Sequence, residues 1–295
     1  DLRSHGGDDA AQPTMPSDVS LHDASPRLTP FWRTVLIVLT VLGILLTMNQ
    51  VFFWNVGGVT IPTNSFLYLL IGLFVPIVFI VTPLRQHAPG SAARQRRGVP
   101  WYDVLLVLAV VGTSVYFAVH GIEIQEYGWQ YMAPTLATVL SFVFWALILE
   151  TLRRAAGLVV LVIAFLFSVY PLFAGIIPLS FLQGISYDLP TLAQVHSMGV
   201  DSVLGLPLQT AGTILVGFLL FGVVLQHTGG ADFFHELSMA VFGRYRGGSA
   251  KVAVASSAAM GMMSGSAVSN VLTTGPMTIP AMKRSGFSAR VAGAV

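Results

Sequence analysis

Six apolar runs, at 31–49, 65–82, 101–120, 131–149, 155–174 and 208–227, each approach the roughly 20 residues that an α-helix needs to cross a bilayer. Backbone N–H and C=O groups find no water in the hydrocarbon layer, and an isolated strand would leave them unpaired, so these runs are helices. The composition agrees: 54% of the chain is hydrophobic and 9% is charged, against about a quarter charged in soluble domains. The expected fold class is an all-α polytopic membrane protein with about six transmembrane helices. Cysteine is absent, which removes disulfide frameworks and Cys-based metal sites.

Loop charge orients the bundle. The loop 83–100 carries Arg85, Arg94, Arg96 and Arg97; the turn after the fourth run carries Arg153 and Arg154; the connection after the sixth carries Arg244, Arg246 and Lys251. The alternate loops, 50–64, 121–130 and 175–207, contain no Lys or Arg. The positive-inside rule then places the N-terminus in the cytoplasm. Arginines clustered between apolar runs are a topology signal, and nucleic acid is not an expected partner. Residues 1–30 are polar, with no apolar face to bury, and are expected to be a disordered cytoplasmic tail. They hold no apolar core with a cleavage site, so no secretory signal is read there. The chain begins without Met and stops at Ala294-Val295 inside an apolar pattern, so a fragment of a longer chain is expected.

The long loop 175–207, with Asp188 and Asp201, is expected either to receive an external partner or to form a partly helical cover on the bundle. After Gly229-Gly230, with Asp232 as the expected cap, Phe233, Phe234, Leu237 and Val241 recur at helical spacing. Asp232, His235 and Glu236 stand opposite them. This predicts an amphipathic connector along the cytoplasmic interface.

The segment 252–282 does not read as an ordinary span. Its middle holds Ser264, Gly265, Ser266, Ser269, Asn270, Thr273, Thr274 and Gly275-Pro276. As a single crossing it would put Lys283, Arg284 and Arg290 on the side where every other loop lacks bases. A re-entrant helical hairpin, entering and leaving from the cytoplasm with a turn between Gly265 and Asn270, resolves the conflict. Each arm would have about a dozen residues, short of a full span. Non-helical backbone at that depth is tolerated where it lines a cavity, and broken helices are how secondary transporters hold ions and solutes. The hydroxyls and the Asn270 amide offer neutral oxygens without any carboxylate, which favours a desolvated cation such as Na⁺ over a carried proton. Ser266 and Asn270 are the candidate Na⁺ contacts. The alternative is that Gly261 and Gly265, four apart, let two helices pack closely.

Gly247-Gly248-Ser249-Ala250-Lys251-Val252-Ala253-Val254, Ser264-Gly265-Ser266-Ala267-Val268-Ser269-Asn270-Val271 and Gly275-Pro276-Met277-Thr278-Ile279-Pro280-Ala281-Met282-Lys283-Arg284 resemble the large membrane subunit of TRAP transporters. Pro100-Trp101-Tyr102-Asp103 and Asp232-Phe233-Phe234 are similar to the fused permeases that join small and large subunits in one chain. The resemblance implies a four-helix small-subunit-like region at 31–154 and the N-terminal part of a large-subunit-like transport region at 155–295, with its first re-entrant hairpin at 252–282. It further implies a multi-pass protein of the bacterial inner membrane, served by a TAXI-type extracytoplasmic solute-binding protein. Such permeases import organic acids (carboxylates) down a Na⁺ gradient by an elevator motion, without ATP and with no cofactor beyond the coupling ion. Ser264, Gly265, Ser266, Ser269, Asn270, Thr273, Thr274 and Gly275 are the substrate and ion site that the hairpin would supply, half of a complete site.

Two rival readings compete with a transporter. A serine hydrolase at Ser264 or Ser266 needs a base within hydrogen-bond reach, yet no His follows His235 and neither serine sits in a Gly-x-Ser-x-Gly frame. No enzyme is expected. The other rival is a non-transporting scaffold or channel-like subunit, in which the hydroxyls serve packing alone.

Overall fold

The computed structural model describes residues 29–54, 60–82, 98–176, 183–264 and 267–295. Helices α1 (Pro30–Phe52), α2 (Thr63–Val81), α3 (Trp101–Val119) and α5 (Thr135–Ala156) are four of five helices, among the described residues, long and apolar enough to span a membrane. The fifth is a 20-residue helix, Leu206–Leu225, built from α8 (Leu206–Thr210), a π-helical turn at Ala211–Leu215 and the first part of α9 (Val216–His227). The protein is an all-α polytopic membrane protein.

The run at 155–174 departs from expectation. Gly157, at φ +90°, separates α5 from α6 (Leu158–Val169), and a 3₁₀ turn containing Pro171 ends it at Leu172. The resulting 15 residues, Leu158–Leu172, rise about 22 Å, less than the roughly 30 Å hydrocarbon layer. The same glycine carries α5 on to Ala156, so Arg153 and Arg154 occupy its last helical turn, where cations oppose the dipole favourably.

The core lies between α2, α3 and α5. Tyr68 stacks on Phe117 at 5.3 Å, and Phe144 meets Phe117 edge-on at 5.6 Å. Pro76 sits inside α2 and withholds one helical donor, yet α2 is the most enclosed of the spans. At one end of the bundle Arg154 joins three helices: Nη1 donates to Asp103 Oδ1 at 2.7 Å and to the Thr82 carbonyl at 3.3 Å, and Nε donates to Glu150 at 2.7 Å. At the other end short α4 (Gly121–Glu126) packs on the start of α2, with Gly121 against Ser65, where a side chain would collide with the Ser65 hydroxyl and backbone.

The long loop contains α7 (Leu189–Met198), which is buried on the bundle and so supports the reading of a helical cover. Tyr68 donates its hydroxyl to the Ser197 carbonyl, Ser197 donates to the Ser141 carbonyl, both at 2.9 Å, and the Gln194 amide donates to Thr138 Oγ1 at 2.7 Å. His196 closes the same region: Nε2 contacts the Ser168 carbonyl at 2.8 Å, Nδ1 contacts Ser202 Oγ at 2.7 Å, and the ring stacks on Trp145.

The expected connector is α10 (Gly230–Phe242). Gly229, at φ +85°, occupies the cap position, and Asp232 lies in the first turn rather than capping it. Then α11 (Gly248–Ser264), α12 (Ala267–Arg284) and α13 (Ala289–Ala294) complete the described chain.

Candidate substrate and ion site

The segment singled out in the sequence forms two helices packed against each other. Ala253 near the start of α11, Met282 near the end of α12 and Ala292 of α13 share a buried cluster, flanked by Ala250 and Phe287. The first part of α11 therefore lies beside the last part of α12, and the pair is an antiparallel helical hairpin. Its arms have 17 and 18 residues, longer than the dozen expected, because α11 begins at Gly248 rather than at 252 and α12 runs from Ala267, rather than after Asn270, to Arg284. Small residues such as Ala267 and Ser269 fit a first helical turn without crowding, so the sequence pattern that looked like a turn is partly helix.

Ser264 is the last residue of α11, and Ser269, Asn270 and Thr273 fall in the first two turns of α12. The hairpin thus brings these four to its closed end, while the placement of their side chains lies outside the described residues. Gly265 and Ser266 themselves lie outside the described residues. Thr274 is buried on α12, and its carbonyl accepts from Thr278 Oγ1 at 2.9 Å. Gly275 is half-buried with space around it: an added Cβ would touch only Ile279 Cδ1, at 3.8 Å. Thr274 and Gly275 therefore sit one to two turns further from the closed end than the serines.

Two backbone carbonyls join the hydroxyls as candidate ligands. Pro276 and Pro280 both fall inside α12. Proline has no N–H, so the carbonyls four residues back, of Leu272 and Pro276, lose their helical donor. The hairpin consequently offers two backbone oxygens near the Thr273-Thr274 level, in addition to hydroxyls. Between Gly248 and Arg284 there is no Asp or Glu, so every oxygen available there is neutral.

A separate cavity of about 460 Å³ opens between α1, α2 and the π-helical turn. Gln50, Thr63, Phe66, Gln209, Thr210 and Thr213 line it. Gly212 of the π turn packs directly on Phe66 and Leu70, which brings this helix against α2. Among the described residues that line it none is charged.

Residues 143–295 match the family model described as "Tripartite ATP-independent periplasmic transporter, DctM component". The match begins within α5 and takes in α6 to α13. No curated protein and no solved structure matches the chain.

Proposed function

Because the chain belongs to the DctM component family of the tripartite ATP-independent periplasmic transporters, and is thus a membrane component of a secondary transporter with an extracytoplasmic solute-binding partner, we propose that its α11–α12 hairpin supplies half of a site for an organic acid and Na⁺. The observation that carries this reading is the hairpin itself. Two helices of 17 and 18 residues are packed antiparallel and joined between Ser264 and Ala267, with bases at their open end and only neutral oxygens along them. Ser264, Gly265, Ser266, Ser269 and Asn270 form the tip, Ser266 and Asn270 contact Na⁺, and Thr273, Thr274 and Gly275 extend the site along the returning arm. The carbonyls of Leu272 and Pro276, freed by the two prolines, add cation ligands of the kind that broken transporter helices use. The start of α12 presents its dipole and free N–H groups to a carboxylate.

The hairpin packs on α9, α10 and α13 and has its own small cluster, whereas α2, α3 and α5 share the main core. This division supports an elevator motion in which the hairpin-bearing part moves against a scaffold built from the helices at 31–154, the small-subunit-like half of a fused permease. A TAXI-type binding protein delivers the substrate to the base-free face. The test is uptake of a panel of radiolabelled carboxylates by the intact permease in proteoliposomes, with its binding protein and an imposed Na⁺ gradient. Uptake is expected to need both, and Asn270→Ala is expected to abolish Na⁺-coupled uptake while inserting normally. Uptake driven equally well by a proton gradient alone, or untouched by Asn270→Ala, refutes the assignment.

A further inference from the structure

The open end of the hairpin gathers cations from three separate stretches of chain. Arg244 and Arg246 lie in the turn leading from α10 into α11, Lys251 is in the first turn of α11, Lys283 and Arg284 close α12, and Arg290 lies on α13. The fold brings them together, because the buried cluster of Ala253, Met282 and Ala292 holds these three helices side by side at that end. All six side chains are exposed. Among the described residues none of them lies within ion-pair distance of a carboxylate, although Lys251 sits 5.3 Å from the Tyr245 ring. Like charges collected without counter-charges repel one another, so the arrangement favours an anionic partner.

The adjoining helix narrows the identity of that partner. Ser238 lies on the enclosed side of α10, while Phe233, Leu237 and Val241, spaced one turn apart, are exposed. The stripe ends three residues before Arg244, so apolar surface runs directly into the basic group. Asp232 and Glu236 stand in the first half of α10, away from the bases. A soluble anion would answer the charges and leave the stripe in water. A bilayer leaflet answers both, since an amphipathic helix places its apolar face at the acyl boundary and its bases at the headgroups.

We propose that α10 and the open end of the hairpin form one docking surface for the anionic lipid of the cytoplasmic leaflet. Phe233, Leu237 and Val241 enter the acyl boundary, and Arg244, Arg246, Lys251, Lys283, Arg284 and Arg290 bind headgroup phosphates. The surface lies a hairpin's length, about 25 Å by helical rise, from the closed end. It ties the base of the hairpin to the membrane plane.

The test reconstitutes the intact permease, this face outward, in vesicles of phosphatidylcholine alone or phosphatidylcholine with phosphatidylglycerol, and follows trypsin cleavage after these bases. Cleavage is expected to slow by at least about tenfold with phosphatidylglycerol and to recover in high salt. Replacing Arg244, Arg246 and Lys251 together by Gln is expected to remove that protection at Lys283 and Arg284. Phe233→Ser with Leu237→Ser and Val241→Ser is expected to weaken it, with both variants monodisperse in detergent. Equal cleavage in the two lipids, or protection that survives the loss of either set, overturns the proposal. Uptake is not part of the readout, so the result stands independently of the transport reading.

Discussion

Arg154 has no exposed side-chain surface, and it divides its guanidinium between Asp103 of α3 and Glu150 of its own helix while its Cζ lies 4.9 Å from the centre of the Phe79 ring. Buried pairs of this kind contribute little net stability over an apolar replacement, but removing one partner costs about 3–5 kcal/mol where it strands the charge, a cost that Glu150 offsets in part for Arg154. Asp103→Leu is therefore expected to lower the thermal midpoint of the detergent-solubilised protein sharply. Asp103→Leu with Arg154→Met is expected to recover much of the loss, as followed by size-exclusion fluorescence. A double variant as unstable as the single one would show that the pair does more than balance charge. His196 makes a second, pH-dependent case. A carbonyl only accepts, so Nε2–H donates to Ser168, and the neutral ring accepts the Ser202 hydroxyl at Nδ1. Burial holds its pKa below the ordinary 6.5, against the Ser168 hydrogen bond, which favours the proton. The unfolded chain then binds more protons than the folded one, so this contribution is complete above 6.5 and is lost as pH falls through the folded value. The thermal midpoint is expected to fall on acidification below 6.5, and His196→Gln is expected to flatten that dependence. Identical pH profiles for the two proteins would contradict it.

At the scale of elements, α12 tests whether its prolines serve the site. Pro276→Ala returns a donor to the Leu272 carbonyl and removes a residue that costs about 3 kcal/mol in a helix interior. The variant is expected to be at least as stable as the wild type, yet to need about tenfold more Na⁺ for half-maximal uptake, a loss on the scale of one ligand interaction. A rise in stability with unchanged Na⁺ dependence would leave the proline as a mere kink. The spans themselves were legible because apolar length is a local property, and α1, α2, α3 and α5 lie where the runs predict them within a turn or two. The shortened α6 was less legible, since it turns on the backbone of Gly157 and Pro171 inside a continuous apolar run. A helical cover over the bundle was legible in the long loop, but the partners on which α7 docks were not. Its partners Tyr68, Thr138 and Ser141 stand 56 to 129 residues away along the chain, and no pattern within 189–198 announces them. The segment 248–284 forms two helices packed antiparallel, and the second starts earlier than the sequence suggests because serine and asparagine signal turns and helix starts alike.

For the whole molecule, the fold sorts charge by end. Glu123, Glu126, Asp188 and Asp201 stand on loops that hold no base, and Tyr131 near the first pair meets Tyr187 near the second with ring centres 6.2 Å apart. The opposite end carries Arg153 and Arg154 and, beyond α9, the bases around the open hairpin. A hairpin that returns to its side of entry keeps Lys283 with Arg244, whereas a crossing segment would put them on opposite sides. These 295 residues hold no cysteine, so within them each introduced thiol is unique and this is directly measurable. In spheroplasts treated with a membrane-impermeant maleimide, Glu126→Cys and Asp201→Cys are expected to label at once. Arg244→Cys and Lys283→Cys are expected to label only after the membrane is opened. Immediate labelling of Lys283→Cys, with Arg244→Cys protected, would make 248–284 a crossing segment. It would also separate the two halves of the basic surface, so one experiment bears on both the re-entrant hairpin and the lipid-docking face.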